Sequence, residues 1–278
     1  MTRVPLNGRD ARTDLPWQMR VHGGTLVIVV PTNDGLVFLA DRADSDPNGR
    51  LTGAAQKLEV VGDRFAFAVA GTAAVDDPQG RCLFDVRATT RKYLAGRQPS
   101  LADQNYMRVL RDAIAEGLNQ MPFSAWPPER QGPLCEVVLG WAHDDGPRVQ
   151  VVSVGYTRKQ PLLLAPKRLS CDPEHFTKAA VVVLGQSAVW RELLQGSDAR
   201  FDEARARPEI RLFAEGKAPR SDMSHDDALE FAQQLLRLTR DRTPLLGPRP
   251  VGVSAEYDYV HLTTRGAVSG SSVLEPGV

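Results

Sequence analysis

The sequence predicts an α+β protein in which antiparallel sheets carry helices segregated onto their faces. Two observations predict this. Apolar runs of strand length come in consecutive pairs joined by turn-forming residues, so neighbouring strands pair as hairpins instead of alternating with helices. The helical patterns stand in separate blocks, one after the first four strands and one late in the chain. No internal repeat interrupts this order, and no low-complexity tract occurs between the ends.

Each element has its own signal. TLVIVV (25–30) and GLVFLAD (35–41) flank PTNDG, a turn built from Pro, Asn, Asp and Gly, and read as a β-hairpin centred on Asn33. KLEVV (57–61), the turn GDR and FAFAVAG (65–71) form a second hairpin. CLFDVRATTRKYLAG (82–96) has helical spacing of Leu83, Val86 and Tyr93. A stronger helix follows over 100–120, with Ser100 as N-cap and Asp103 three residues later. The Pro-rich MPFSAWPPERQGP breaks the chain, and LCEVVLGWAH (134–143) and RVQVVSVGY (148–156) then read as strands joined by DDGP. AAVVVLG (179–185) is a strand and SAVWRELLQ (187–195) a helix. The charged stretch Ser197–Ser221 reads as an insertion or a solvated helical excursion. HDDALEFAQQLLRLTRD (225–241) is an amphipathic helix capped by Ser224, and SAEYDYVHLT (254–263) is a closing strand. GAVSGSSVLEPGV, residues 266–278, reads as a loose, flexible tail, which leaves 25–265 as one domain behind a leader of residues 1–24.

Bulk properties narrow the function. The 278 residues carry a formal net charge of zero, so no field of one sign points to nucleic acid or an anionic membrane. No apolar run reaches the length of a membrane helix. The leader carries Arg3, Arg9, Arg12 and Arg20 and has no hydrophobic core, so it is not a secretory signal. Cys82, Cys135 and Cys171 form no CxxC pair and no zinc spacing with the five histidines, which suits a reducing cytoplasm. No metal site and no cofactor is expected.

One spacing carries chemistry. Asp41 follows Thr25 by 16 residues, Lys57 follows Asp41 by 16, and Gly71 follows Lys57 by 14. All four fall at strand ends that a four-stranded antiparallel layer of the two hairpins would gather. A threonine hydroxyl attacks a carbonyl only when a base takes its proton. Cleavage between Gly24 and Thr25 would give Thr25 a free α-amine, whose pKa of about 8 lets it serve as that base. The Lys57 ammonium would lower the hydroxyl pKa, Asp41 would keep that ammonium charged and oriented, and the Gly71 N–H would bind an oxyanion.

Gly24-Thr25, GLVFLADRA with Asp41, QKLEVVGDRFAFAVAGTAA with Lys57 and Gly71, and EVVLGWAHDDGPRVQVVSVGY together resemble the proteasome β-subunit family, which includes the bacterial HslV protease. The resemblance covers most of the chain after residue 24. It implies the four-layer αββα sandwich of N-terminal nucleophile (Ntn) hydrolases, two antiparallel sheets flanked by helices. It also implies a self-removed leader, threonine-type hydrolysis of peptides or unfolded chains without a cofactor, and assembly into a homo-oligomeric ring, with any ATPase or activator partner left open.

The sequence departs from the family at three places. Leu26 follows Thr25 where a second threonine or serine is common. LGQSAV, with Gln186, replaces a Gly-Ser-Gly-like turn that orients the α-amine, leaving Ser187 as the group that resembles it. Asp241 resembles the other amine-orienting group, but Pro244 stands where a serine is expected. Two other readings remain. A ring subunit that keeps its leader would be a non-catalytic scaffold, the outcome also expected if a shifted register put Gly23 at the nucleophile position. An open pocket would make the same nucleophile a small-amide hydrolase.

Overall fold

A computed structural model of the chain describes residues 20–24, 26–45, 51–97, 105–120, 133–143, 146–156, 164–169, 181–185, 187–208, 210–211, 223–246 and 252–275. The strands, in chain order, are β1 (Arg20–Gly24), β2 (Val27–Pro31), β3 (Gly35–Asp41), β4 (Ala43–Ser45), β5 (Leu51–Ala54), β6 (Leu58–Val61), β7 (Phe65–Asp76), β8 (Cys82–Asp85), β9 (Pro133–His143), β10 (Gly146–Tyr156), β11 (Leu164–Leu169), β12 (Val182–Leu184), β13 (Glu256–Thr263) and β14 (Gly266–Val273). The helices are α1 (Val86–Leu94), α2 (Asn105–Asn119), α3 (Ser187–Gln195), α4 (Asp202–Arg205) and α5 (His225–Arg242). The fold is mixed α+β with antiparallel sheets. Among the described residues nine strands form one sheet, ordered β11-β10-β9-β7-β1-β4-β5 with β6 and β8 also on β7, and five form the other, ordered β12-β2-β3-β13-β14.

The residue pattern explains the packing. In β7 the large Phe65, Phe67 and Val69 join Val86 and Leu94 of α1 and Leu110, Ile114 and Leu118 of α2 in one core. The intervening Ala66, Ala68 and Ala70 face the other way, into a second core shared with Val27, Val29, Leu36 and Phe38 of the five-stranded sheet. The other faces of β2 and β3, with Ile28, Val30, Val37 and Leu39, form a third core against Val189 and Leu193 of α3 and Phe231, Leu235 and Leu236 of α5. Both faces of β2 and β3 are therefore buried, which is why their sequences are continuous apolar runs. Between the sheets small residues meet large ones. A Cβ at Gly140 would lie 2.5 Å from Phe38 Cζ and 2.7 Å from Leu36 Cδ1. Gly140→Ala is expected to cost about 1–3 kcal/mol by overpacking, read as a lower urea midpoint at unchanged slope.

Several elements differ from expectation. Val27 pairs with Ala40 and Pro31 with Leu36, so the first hairpin turns between Asn33 and Asp34, and Leu26 stands opposite Asp41. The two N-terminal hairpins do not share a layer: β2–β3 lies in one sheet and β6–β7 in the other. The second hairpin turns on Gly62 and Asp63, both with positive φ, as a tight type I′ connection requires. Cys82–Asp85 is a strand, not the start of a helix, because the Asp85 side chain accepts from the Arg87 and Ala88 amides and caps α1 there. The stretch expected to be a solvated excursion anchors itself through Phe201, Ala204 and Ile210, all buried against α3 and α5. Residues 266–273 of the expected tail form β14, paired along its length with β13, because the hairpin supplies backbone bonds that small polar side chains do not signal. The last five residues of the expected leader form β1, inside the nine-stranded sheet. Ser224 caps α5 as expected, accepting from the Asp227 amide. Ser100, Asp103, residues 121–132 and Asp144–Asp145 lie outside the described residues, and among the described ones no helix is long and apolar enough to cross a membrane.

Candidate active site

The sheets stack so that the C-terminal end of β3 meets the segment entering β6. Asp41 closes β3 and is fully buried, and Lys57, directly before β6, is 1% exposed. Lys57 Nζ donates to Asp41 Oδ1 at 2.6 Å. The pair therefore forms across the gap between two sheets, which a lysine stem is long enough to bridge, and not along one layer as the sequence suggested.

The Asp41 carboxylate is held from four directions. Its Oδ1 also accepts the Leu26 N–H at 2.9 Å, and its Oδ2 accepts the N–H groups of Ala43 and Ser254, each at 3.2 Å. Four donors fill the accepting sites of a carboxylate and make a fixed buried charge tolerable. Because the Lys57 ammonium and the Leu26 amide share one oxygen, the ammonium lies beside the backbone of the residue that follows Thr25. Burial pulls the Lys57 amine below its ordinary value, and the carboxylates of Asp41, Asp44 and Asp258 oppose that shift.

The other face of the junction is also in place. Gly24, the last residue of β1, pairs with Gly71 of β7 on one side and with Asp44 of β4 on the other. Gly71 has φ of 76°, in the left-handed region, so glycine is required by the backbone itself at this point in the strand. Just before it in register, β1 and β7 shift at His22/Gly23. Thr25 lies outside the described residues. Its two chain neighbours are described: Gly24 faces Gly71, and Leu26 is bonded to Asp41.

The remaining expected residues are less central. Ser187 is the first residue of α3, and Gln186 lies outside the described residues. Asp241 lies near the end of α5, half exposed, and accepts from Arg240 Nε and Nη2 at 3.2 Å. Pro244 is exposed and sits in the 3₁₀ turn Thr243–Leu246.

Sequence reasoning passed over three carboxyl groups, Asp44 and Asp258 beside the pair and Glu136 on β9. Asp44 accepts from Thr52 Oγ1 at 3.1 Å, and Asp258 accepts from Ser271 Oγ at 2.6 Å with Arg42 Nε at 3.8 Å. Glu136 accepts from Ser153 Oγ at 3.1 Å. For Glu136 a signal was present: it is the lone acid of its strand, and its same-face neighbour Val138 is a core residue. Among the described residues no group of three or more potential metal ligands converges.

Chemically, a buried ammonium, a carboxylate that orients it and a strand bend with a bare glycine backbone flank one peptide junction. Such a set lowers the pKa of a hydroxyl and stabilises an oxyanion. No family model matches this chain, and no curated protein matches it.

Proposed function

We propose that this chain is a threonine-type peptidase of the proteasome β-subunit kind, with the four-layer αββα architecture of N-terminal nucleophile hydrolases. The observation that carries the reading is the buried Asp41–Lys57 pair, bonded to the amide after Thr25, while the residue before Thr25 is paired with Gly71. The three cores, one between the sheets and one under each group of helices, support the architecture.

The mechanism follows from these positions. In the precursor, Thr25 Oγ attacks the Gly24 carbonyl carbon, the C–N bond to Thr25 breaks, and its proton balance is closed by forming the free amine. Water then hydrolyses the resulting ester, releasing residues 1–24 and leaving the Thr25 hydroxyl and α-amine. On a peptide substrate the α-amine takes the hydroxyl proton, Oγ forms the acyl-enzyme, and the proton passes to the leaving amine. Water attacks the ester with the α-amine again as base. Lys57 favours the alkoxide character of Oγ, and the Gly71 N–H stabilises the tetrahedral oxyanion. Ser187 and Asp241 are the groups proposed to orient the amine. The proposed setting is a cytoplasmic homo-oligomeric ring that admits unfolded chains.

One observation favours a second reading. β1 is an interior strand, between β7 and β4, so a retained leader would act as a permanent part of the sheet in a non-catalytic scaffold subunit. Intact mass of the purified, assembled protein separates the two. The peptidase reading expects a chain beginning at Thr25; a mass that includes residues 1–24 in the assembled particle sinks it.

A further inference from the structure

Lys57 stands one residue ahead of β6, and the first ladder pair of β6 with β7 is Leu58 with Ala68. Its backbone therefore precedes the ladder, while its Nζ is held 2.6 Å from Asp41. The three carbonyls around it all have partners. The Lys57 carbonyl accepts the Val69 N–H at 3.1 Å. The Leu58 carbonyl accepts Gln56 Nε2 at 3.1 Å, so the Gln56 side chain spans Lys57. The Gln56 carbonyl, at the peptide that leads into Lys57, accepts Arg87 Nη1 from α1.

Arg91, one turn further along α1, reaches the same segment. Its Nε and Nη2 donate to Glu59 Oε2 and Oε1 at 2.7 and 2.8 Å, a bidentate pair. Two arginines of one helix thus bracket the buried lysine, but they are not equivalent. Glu59 already pairs with Phe67 in the β6–β7 ladder, so Arg91 adds a bond to backbone that is fixed. Gln56 precedes that ladder, and Arg87 bonds its carbonyl directly. Arg87 stands on a firm base. The Asp85 carboxylate accepts its amide at 2.7 Å and lies 3.6 Å from its Nε. Asp85 pairs with Ala74 of β7, and Val86 and Leu94 anchor α1 in the core.

We propose that Arg87 is a positioning residue: by holding the Gln56 carbonyl it fixes the Gln56–Lys57 peptide and so aims the Lys57 ammonium at Asp41. The catalytic consequence rests on the peptidase reading; the grip itself does not. The argument is one of leverage. Lys57 is 1% exposed, so its stem has no free space in which to readjust when the peptide at its root turns. A misplacement of about 1 Å at a catalytic group is enough to cost about a hundredfold in rate.

Arg87→Met removes the donor and keeps an unbranched stem. Gln56 is exposed, so water replaces the lost bond, and the urea midpoint should stay at its natural value. Hydrogen exchange at the Val69 amide, which is bonded to the Lys57 carbonyl, should accelerate about tenfold or more by local opening, while the amides of β9 keep their rates. Peptide turnover should fall by about ten- to a hundredfold in kcat with KM unchanged. Arg87→Lys keeps a cationic donor and should recover most of that loss, and Arg91→Met should lose less than about threefold. Natural Val69 exchange in Arg87→Met overturns the proposal. So does accelerated exchange with natural kcat, or an Arg91→Met protein that loses as much kcat as Arg87→Met. If the natural chain neither releases its leader nor cleaves peptides, the peptidase reading falls, and Val69 exchange still decides the grip on Lys57.

Discussion

Replacing Thr25 by alanine is expected to leave residues 1–24 attached and to reduce peptide hydrolysis by about four orders of magnitude or more, because no other group can replace an N-terminal nucleophile. The fold should survive the change. Leu26 keeps its bond to Asp41 through the backbone. Thr25→Ser keeps a hydroxyl at the same Cβ and should retain both reactions. Mass spectrometry reads leader release, and turnover of a fluorogenic peptide reads hydrolysis. Wild-type turnover by Thr25→Ala would refute the mechanism.

Asp41 and Lys57 should separate stability from activity. Asp41→Ala leaves a buried ammonium without its nearest counter-charge and strands the N–H groups of Leu26, Ala43 and Ser254. Removing one partner of a buried pair costs about 3–5 kcal/mol. Lys57→Met removes the other charge, yet the carboxylate keeps its three backbone donors, so the loss in urea stability should be clearly smaller. Activity should vanish in both. A Lys57→Met protein less stable than Asp41→Ala would contradict this reading of the carboxylate. In the proposed mechanism the Lys57 amine also sets the alkaline side of the activity profile. Because burial lowers its folded pKa, stability rises with pH between that value and the ordinary 10.5, while the activating positive charge is lost over the same window. Turnover is therefore expected to decline at a pH where the fold is becoming more stable.

What could be read from sequence follows from how local each signal is. The β2–β3, β6–β7 and β9–β10 hairpins carry both apolar runs and turn residues, and α5 carries a cap and an apolar stripe, so each declares itself within about twenty residues. β1 carries no such signal: RVHGG has one apolar side chain, and only the neighbouring strands make it extended. β11 contains Pro166, which reads against a strand, but its place at the sheet edge tolerates a missing N–H. The spacing of Asp41 and Lys57 marked both as candidates at strand ends, but their contact depends on how the two sheets stack. Asp44 and Asp258 were not marked, since their approach depends on which sheet each strand joins and how the two sheets stack. The same stacking explains why the pair spans the gap between sheets.

The position of β1 has a consequence for the history of the chain. Among the described residues, β4 and β5 join the ladder of the nine-stranded sheet through β1. A chain that cuts itself at Gly24 therefore discards the rung on which its own sheet was assembled. Folding would then be encoded by a longer chain than the one that works. Its persistence would then be a matter of how slowly it comes apart, with maturation acting as a ratchet that admits no return.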